Sequence, residues 1–129
     1  MTQPVIYAQE ELEVRCKVWQ ERLRLQDWIV KVSLEPHFKL LQGTGANVAI
    51  TLERKEAIVY ILQRDDYPPD DQFPQDMENS LVHELLHLHF EPLGINRDGS
   101  EHVAQEQAIC CIASSLVKAW RRVEQLEAV

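Results

Sequence analysis

Between positions 8 and 25, Leu12, Cys16, Trp19 and Leu23 recur at helical spacing while Glu, Gln, Arg and Lys fill the other side, which predicts an amphipathic first helix. The period then shortens. Over positions 28–34, Trp28, Val30, Val32 and Leu34 alternate with Lys31 and Ser33 as in a half-buried strand, and Pro36 stops it. After the turn-rich Gln42-Gly43-Thr44-Gly45, two β-branched runs at 47–52 and 57–62 flank the charged turn Glu53-Arg54-Lys55-Glu56 and predict a hairpin beside the first strand. An acidic, proline-containing connection at 65–76 leads to an apolar helix carrying Met77, Leu81, Val82, Leu85, Leu86, Leu88 and Phe90. Pro92 and Gly94 end that helix, and Asn96-Arg97-Asp98-Gly99 turns before Ser100, the expected N-cap of a final helix reaching about Val123. The expectation is an α+β fold in a single domain, residues 1–129: an N-terminal helix, a small three-stranded antiparallel sheet, the apolar helix and a C-terminal helix.

The apolar helix has one narrow polar stripe. With His83 at 0° on a wheel of about 100° per residue, Ser80, His83, Glu84, His87 and Glu91 fall within about 100° of arc. That stripe contains His83-Glu84-Leu85-Leu86-His87, an H-E-x-x-H spacing. Four residues of helix turn about 400°, so the two imidazoles project one turn apart from the same side and suit a single metal ion. Glu84 stands beside them, within reach of a water at that ion rather than of the ion itself. Two nitrogen ligands plus a free carboxylate base describe a hydrolytic Zn2+ site. A solvated helix face usually mixes in cations, yet no Lys or Arg occurs from Asp65 to Asn96. His89, at about 240°, points away from the stripe.

A catalytic zinc takes three protein ligands, so a third is needed, and Glu91, Glu101, His102 and Glu106 are the downstream candidates. On the final helix, His102, Ile109, Cys110, Ala113, Val117 and Trp120 lie within about 60° of Glu106, which puts that carboxylate in an inward-facing stripe. Burial there is costly without a cation, so Glu106 is the favoured ligand. Glu101 faces elsewhere and decorates the first turn. His102, one turn before Glu106, is a candidate ligand, a donor supporting the ligands, or a catalytic group that stabilises an oxyanion.

Charge and cysteine content narrow the alternatives. The net charge of −8 and the lack of a Lys/Arg cluster argue against a nucleic-acid surface. Cys16, Cys110 and Cys111 are odd in number and badly spaced for a disulfide framework, which suits a reducing cytoplasm. The N-terminal residues show neither a basic leader nor an apolar signal core, and no run reaches transmembrane length. The expected protein is therefore cytoplasmic, with no membrane or nucleic-acid partner. Gly43-Thr44-Gly45 lacks the Gly-Lys-Ser/Thr of a phosphate loop, and the Asp65-Asp66 and Asp70-Asp71 pairs lack an ordered calcium loop.

The Val-His-Glu-Leu-Leu-His helix, followed by a turn and a helix bearing Glu106-Gln107-Ala108-Ile109-Cys110-Cys111-Ile112-Ala113, resembles the zincin metallopeptidases of the gluzincin type. Compact minigluzincins and ImmA/IrrE-like proteins are the most similar. The resemblance covers residues 57–120 and implies a zincin-like fold, His83, His87 and Glu106 as zinc ligands, and Glu84 as general base. It further implies that the run at 57–62 is the edge strand that pairs with substrate. The metzincin pattern fails, since Phe90 and Leu93 occupy the positions of its glycine and third histidine, and the ImmA-like Glu-Ala-Asn run is replaced by Gln107-Ala108-Ile109. The function expected is zinc-dependent hydrolysis of a peptide or protein substrate. Its alternatives are a zinc-stabilised interaction module without activity and a regulatory protease with one protein target.

Overall fold

The computed structural model describes residues 3–41 and 43–128, so Gln42 of the expected 42–45 turn lies outside the described residues. The elements run α1 (Gln9–Arg22), β1 (Ile29–Glu35), β2 (Ala46–Thr51), β3 (Glu56–Leu62), α2 (Met77–Phe90) and α3 (Ser100–Glu127). The class is α+β, with three α-helices and one three-stranded mixed sheet among the described residues.

The sheet corrects two expectations. Its order is β1-β3-β2, with β2 and β3 antiparallel as a hairpin but β1 and β3 parallel, Val32 opposite Val59. The sheet is therefore mixed rather than antiparallel, and the run at 57–62 is its central strand rather than an edge. Alternation along a strand tells which face is buried, not which neighbour it takes or in which direction. β3 reads Glu-Ala-Ile-Val-Tyr-Ile-Leu, apolar at almost every position, and Ala57, Val59, Ile61 and Leu62 are buried. Such a run favours the centre of a sheet, while β2, with Asn47 and Thr51, tolerates the edge. Residues 36–45 then have only to step over one intervening strand, about 10 Å at the usual strand spacing.

The hydrogen-bond phase decides what each edge offers. Leu62 N–H donates to the Gly45 carbonyl at 3.0 Å, and with Ala46 opposite Ile61 this assigns Asn47, Ala49 and Thr51 to the ladder. The N–H and C=O groups of Ala46, Val48 and Ile50 therefore point outward from β2. The β1 edge is occupied instead. Gln9 Nε2 donates to the Val32 carbonyl at 2.8 Å, and Leu34 N–H donates to Gln9 Oε1 at 2.9 Å.

One face of the sheet buries Val30, Val32, Ala57, Val59 and Ile61 against α1 and α2, and α3 packs on α2 through Ile109, Ala113 and Val117. The opposite face leaves Ile29 and Ile58 exposed. Leu81, Val82, Leu85 and Leu88 fill the apolar side of α2, each buried aliphatic side chain contributing about 1.5–3 kcal/mol. Asp76 caps α2 by accepting from Asn79 N–H at 2.9 Å, and Gly94 closes the following turn at φ +62°. Gly99, not Ser100, occupies the N-cap position of α3, with Ser100 the first helical residue.

Glu78 ties the three helices together. It is 2 % exposed and accepts from Arg15, from Trp19 Nε1 at 2.9 Å and from Arg121 Nε at 3.0 Å. The Arg22 guanidinium lies 4.8 Å from the Trp19 ring centroid and 4.1 Å from that of Trp120, a second clamp between α1 and α3. These contacts fix the angle at which α3 crosses α2, and that angle positions Glu106.

Candidate metal centre

A groove of about 650 Å³ opens along the polar stripe of α2. Ser80, His83, Glu84, His87 and Glu91 line its floor. Ala46, Val48 and Ile50 of β2 form one wall, and His102, Gln105 and Glu106 of α3, with Arg97 of the preceding turn, form the other. The free edge of β2 thus borders the H-E-x-x-H residues. The wheel of α2 alone put the five stripe residues on one side, and burial of the apolar side against the sheet is what turns that stripe to the groove.

Glu106 stands between the two imidazoles. Its Oε1 lies 3.0 Å from His87 Nε2 and its Oε2 lies 3.3 Å from His83 Nε2, while the rings are 5.2 Å apart between centroids. The expected trio of His83, His87 and Glu106 is brought into contact, although the carboxylate separates the two nitrogens rather than sharing one point with them. Among the described residues, the three groups whose ligating atoms all fall within 4.8 Å of one another are His83, Glu106 and Cys110. Cys110 Sγ lies 3.8 Å from His83 Nδ1 and within 4.8 Å of a Glu106 carboxylate oxygen.

Glu84 is 8 % exposed, with its Oε2 4.0 Å from His83 Nε2. Burial, with the Glu106 charge adding to it, pushes the Glu84 carboxyl up to about 8. Burial likewise holds His87 below the ordinary histidine range, although Glu106 pulls the other way, and so favours the neutral imidazole that a metal requires. Glu84, Glu91 and Glu106 face the groove against Arg97, its one Lys or Arg among the described residues. A groove that gathers carboxylates and imidazoles with so little cationic compensation offers donors that could hold a divalent ion.

The other candidates separate cleanly. His102 is half-buried and lines the groove. Glu91 lines it one turn beyond His87, whereas Glu101 is exposed on the first turn of α3. His89 is exposed, its Nε2 2.7 Å from the Leu23 carbonyl at the end of α1. Two contributions were not foreseen from the sequence: the outward groups of β2, which depend on the sheet order, and Cys110, whose approach to His83 depends on the α2–α3 crossing. The i, i+4 spacing of Glu106 and Cys110 was the available signal for the latter.

Among the described residues no helix is long and apolar enough to cross a membrane. No family profile, no curated protein and no solved structure matches the chain.

Proposed function

We propose that the chain is a zinc-dependent metallopeptidase of gluzincin type, with His83, His87 and Glu106 as ligands and Glu84 as general base. The observation that carries this reading is the Glu106 carboxylate of α3, in reach of both α2 imidazoles beside the buried Glu84. Two imidazole nitrogens, one carboxylate and an open groove fit a zinc site that keeps a position for water. Bound there, Zn2+ supplies Lewis acidity toward a carbonyl and lowers the pKa of water. Glu84 takes a proton from the attacking water on its carboxylate and returns it to the departing amine nitrogen. His102, from the α3 wall, donates a hydrogen bond to the oxyanion that forms as the carbonyl is attacked.

The substrate that suits this groove is an extended peptide. The outward N–H and C=O groups of Val48 and Ile50 can pair with a peptide backbone as an added strand next to Glu84, while the Ala46 carbonyl accepts from Asn47 Nδ2 at 2.6 Å. Gln9 occupies the matching groups on β1, which leaves β2 as the edge for strand addition. Backbone pairing gives little side-chain selectivity. A closed zinc module without activity would need a fourth protein ligand and no room for substrate, and the groove argues against it. The reading is tested with zinc-loaded protein and a diverse peptide library. Cleavage by the wild type and none by Glu84→Gln supports it; equal cleavage by both removes Glu84 from the chemistry.

A further inference from the structure

Resting on the metallopeptidase reading of this groove, we propose that Arg97 is its specificity-determining residue and selects a peptide that carries a carboxylate, on a side chain or at its C-terminus, where it passes the turn between α2 and α3. Arg97 is exposed and is the one Lys or Arg lining the groove among the described residues. Beyond His87 the lining comes from Phe90 at the end of α2, from Glu91 after it, and from Gly94, Ile95 and Arg97 of the turn. That turn is held at both ends. Gly94 closes the first at φ +62°; at the second, Asn96 accepts from Asp98 N–H through Oδ1 at 3.0 Å and from Gly99 N–H through its carbonyl at 3.1 Å. An ordered turn therefore presents the guanidinium to the groove that a strand added to β2 would enter.

The guanidinium is available to a ligand. Arg15, Arg22 and Arg121 are paired with Glu78, Glu124 and Asp76 between the helices, and Arg54 lies 3.6 Å from Glu56. Among the described residues Arg97 makes no ion pair, although Glu91 lines the same groove and the chain holds 21 acidic against 13 basic residues. A planar guanidinium meets a carboxylate with two parallel N–H donors, and such charge-assisted pairs are stronger than neutral ones. The pair gains strength in a groove that a bound peptide shields from water, compared with an open surface. A divalent ion would offset Glu84 and Glu106, which leaves Glu91 and Arg97 as the charges a substrate meets beyond His87. Glu91 repels a carboxylate and Arg97 attracts it, so the sign of the selectivity reports which of the two reads the substrate.

Two peptide sets distinguish the sources of the carboxylate. One walks a single Glu, Gln or Lys through a neutral peptide with an amidated end; the other offers the same neutral peptide with a free or an amidated C-terminus. With zinc-loaded wild type, kcat/KM should favour Glu over Gln at one position, or the free over the amidated end, by about tenfold. Arg97→Gln should bring that ratio to about one, and Arg97→Lys, which keeps the charge without the planar fork, should hold part of it. Arg97→Glu should turn the preference toward Lys at the same position. Arg64→Gln removes the same charge at an exposed site outside the groove and should keep the wild-type ratio. A wild type indifferent to both sets overturns the proposal. So does a ratio that survives Arg97→Gln, or a wild-type preference for Lys, which would assign the reading to Glu91. Binding of the same peptides to Glu84→Gln, followed by fluorescence anisotropy with residue 97 varied in that background, separates the two readings. A carboxylate preference in binding that follows residue 97, with no cleavage by the wild type, leaves this inference standing and removes the metallopeptidase reading. Cleavage by the wild type that is indifferent to the carboxylate does the reverse.

Discussion

Glu106 Oε1 lies 3.0 Å from His87 Nε2, a contact between α3 and α2 that completes the set of groups begun by the H-E-x-x-H spacing. The contact depends on elements far from the groove: the Glu78 hydrogen bonds to Arg15, Trp19 and Arg121 and the Arg22 clamp hold α3 across α2. Fold and site are connected through that crossing.

Loss of the ligands should be distinguishable from loss of a surface acid. His83→Ala, His87→Ala and Glu106→Gln are each expected to weaken Zn2+ binding by about 100-fold or more, beyond the effect of supporting residues. Glu101→Gln, exposed on the first turn of α3, should stay within about twofold of wild type. Chelator competition on the four purified variants checks this, and an unchanged Glu106→Gln would reject the third ligand.

Glu84→Gln should separate activity from stability. Hydrolysis is expected to fall by about 10²–10⁴ with zinc retained. The metal-free variant should melt higher than the metal-free wild type at neutral pH, because a buried carboxyl raised to about 8, which must take up a proton on folding, is replaced by a neutral amide of the same shape. Calorimetry of both proteins in chelator reads the shift; a lower melting temperature in the variant contradicts the account of Glu84.

The β2 edge makes a prediction that the motif alone does not. Val48→Pro removes an outward N–H and should leave stability nearly unchanged while lowering kcat/KM on a peptide substrate. Ala49→Pro removes a ladder bond and should destabilise by about 3 kcal/mol. Equal melting temperatures for the two variants would refute the assigned phase.

Acid sensitivity should be traceable to Glu78. Burial pushes its carboxyl up, but hydrogen bonds from Arg15 and Trp19 and the charges of Arg15 and Arg121 outweigh it and hold the group below the ordinary range. A carboxyl depressed in the folded state contributes stability that is complete above the unfolded value of about 4.3 and is lost as pH falls through the folded value. Glu78→Gln should therefore cost about 3 kcal/mol at pH 7 and flatten the decline below about pH 4. Denaturant titrations across that range test the sign.

Much of this was legible in the chain because the signals are local. Leu12, Cys16 and Trp19 mark the buried face of α1, and one helical wheel puts Ser80, His83, Glu84 and His87 on the stripe that lines the groove. The turn at 53–56 and its flanking runs mark the hairpin. What was not legible is relational. Val30 and Val32 announce a buried face, yet nothing in their spacing says that β1 joins the far side of β3 in parallel. Glu78 falls in the apolar arc of α2, and its partners Arg15 and Arg121 come from other helices. Cys110 is one of two adjacent cysteines, and only the helix crossing says which one meets His83.

The most direct test of the central claim is an anomalous difference map from crystals of the zinc-loaded protein. The account predicts one strong peak in the groove with His83 Nε2, His87 Nε2 and a Glu106 oxygen at about 2.0–2.2 Å and the Glu84 carboxylate outside the coordination shell. The absence of a peak there, or a peak held by four protein ligands with no place for water, would contradict it.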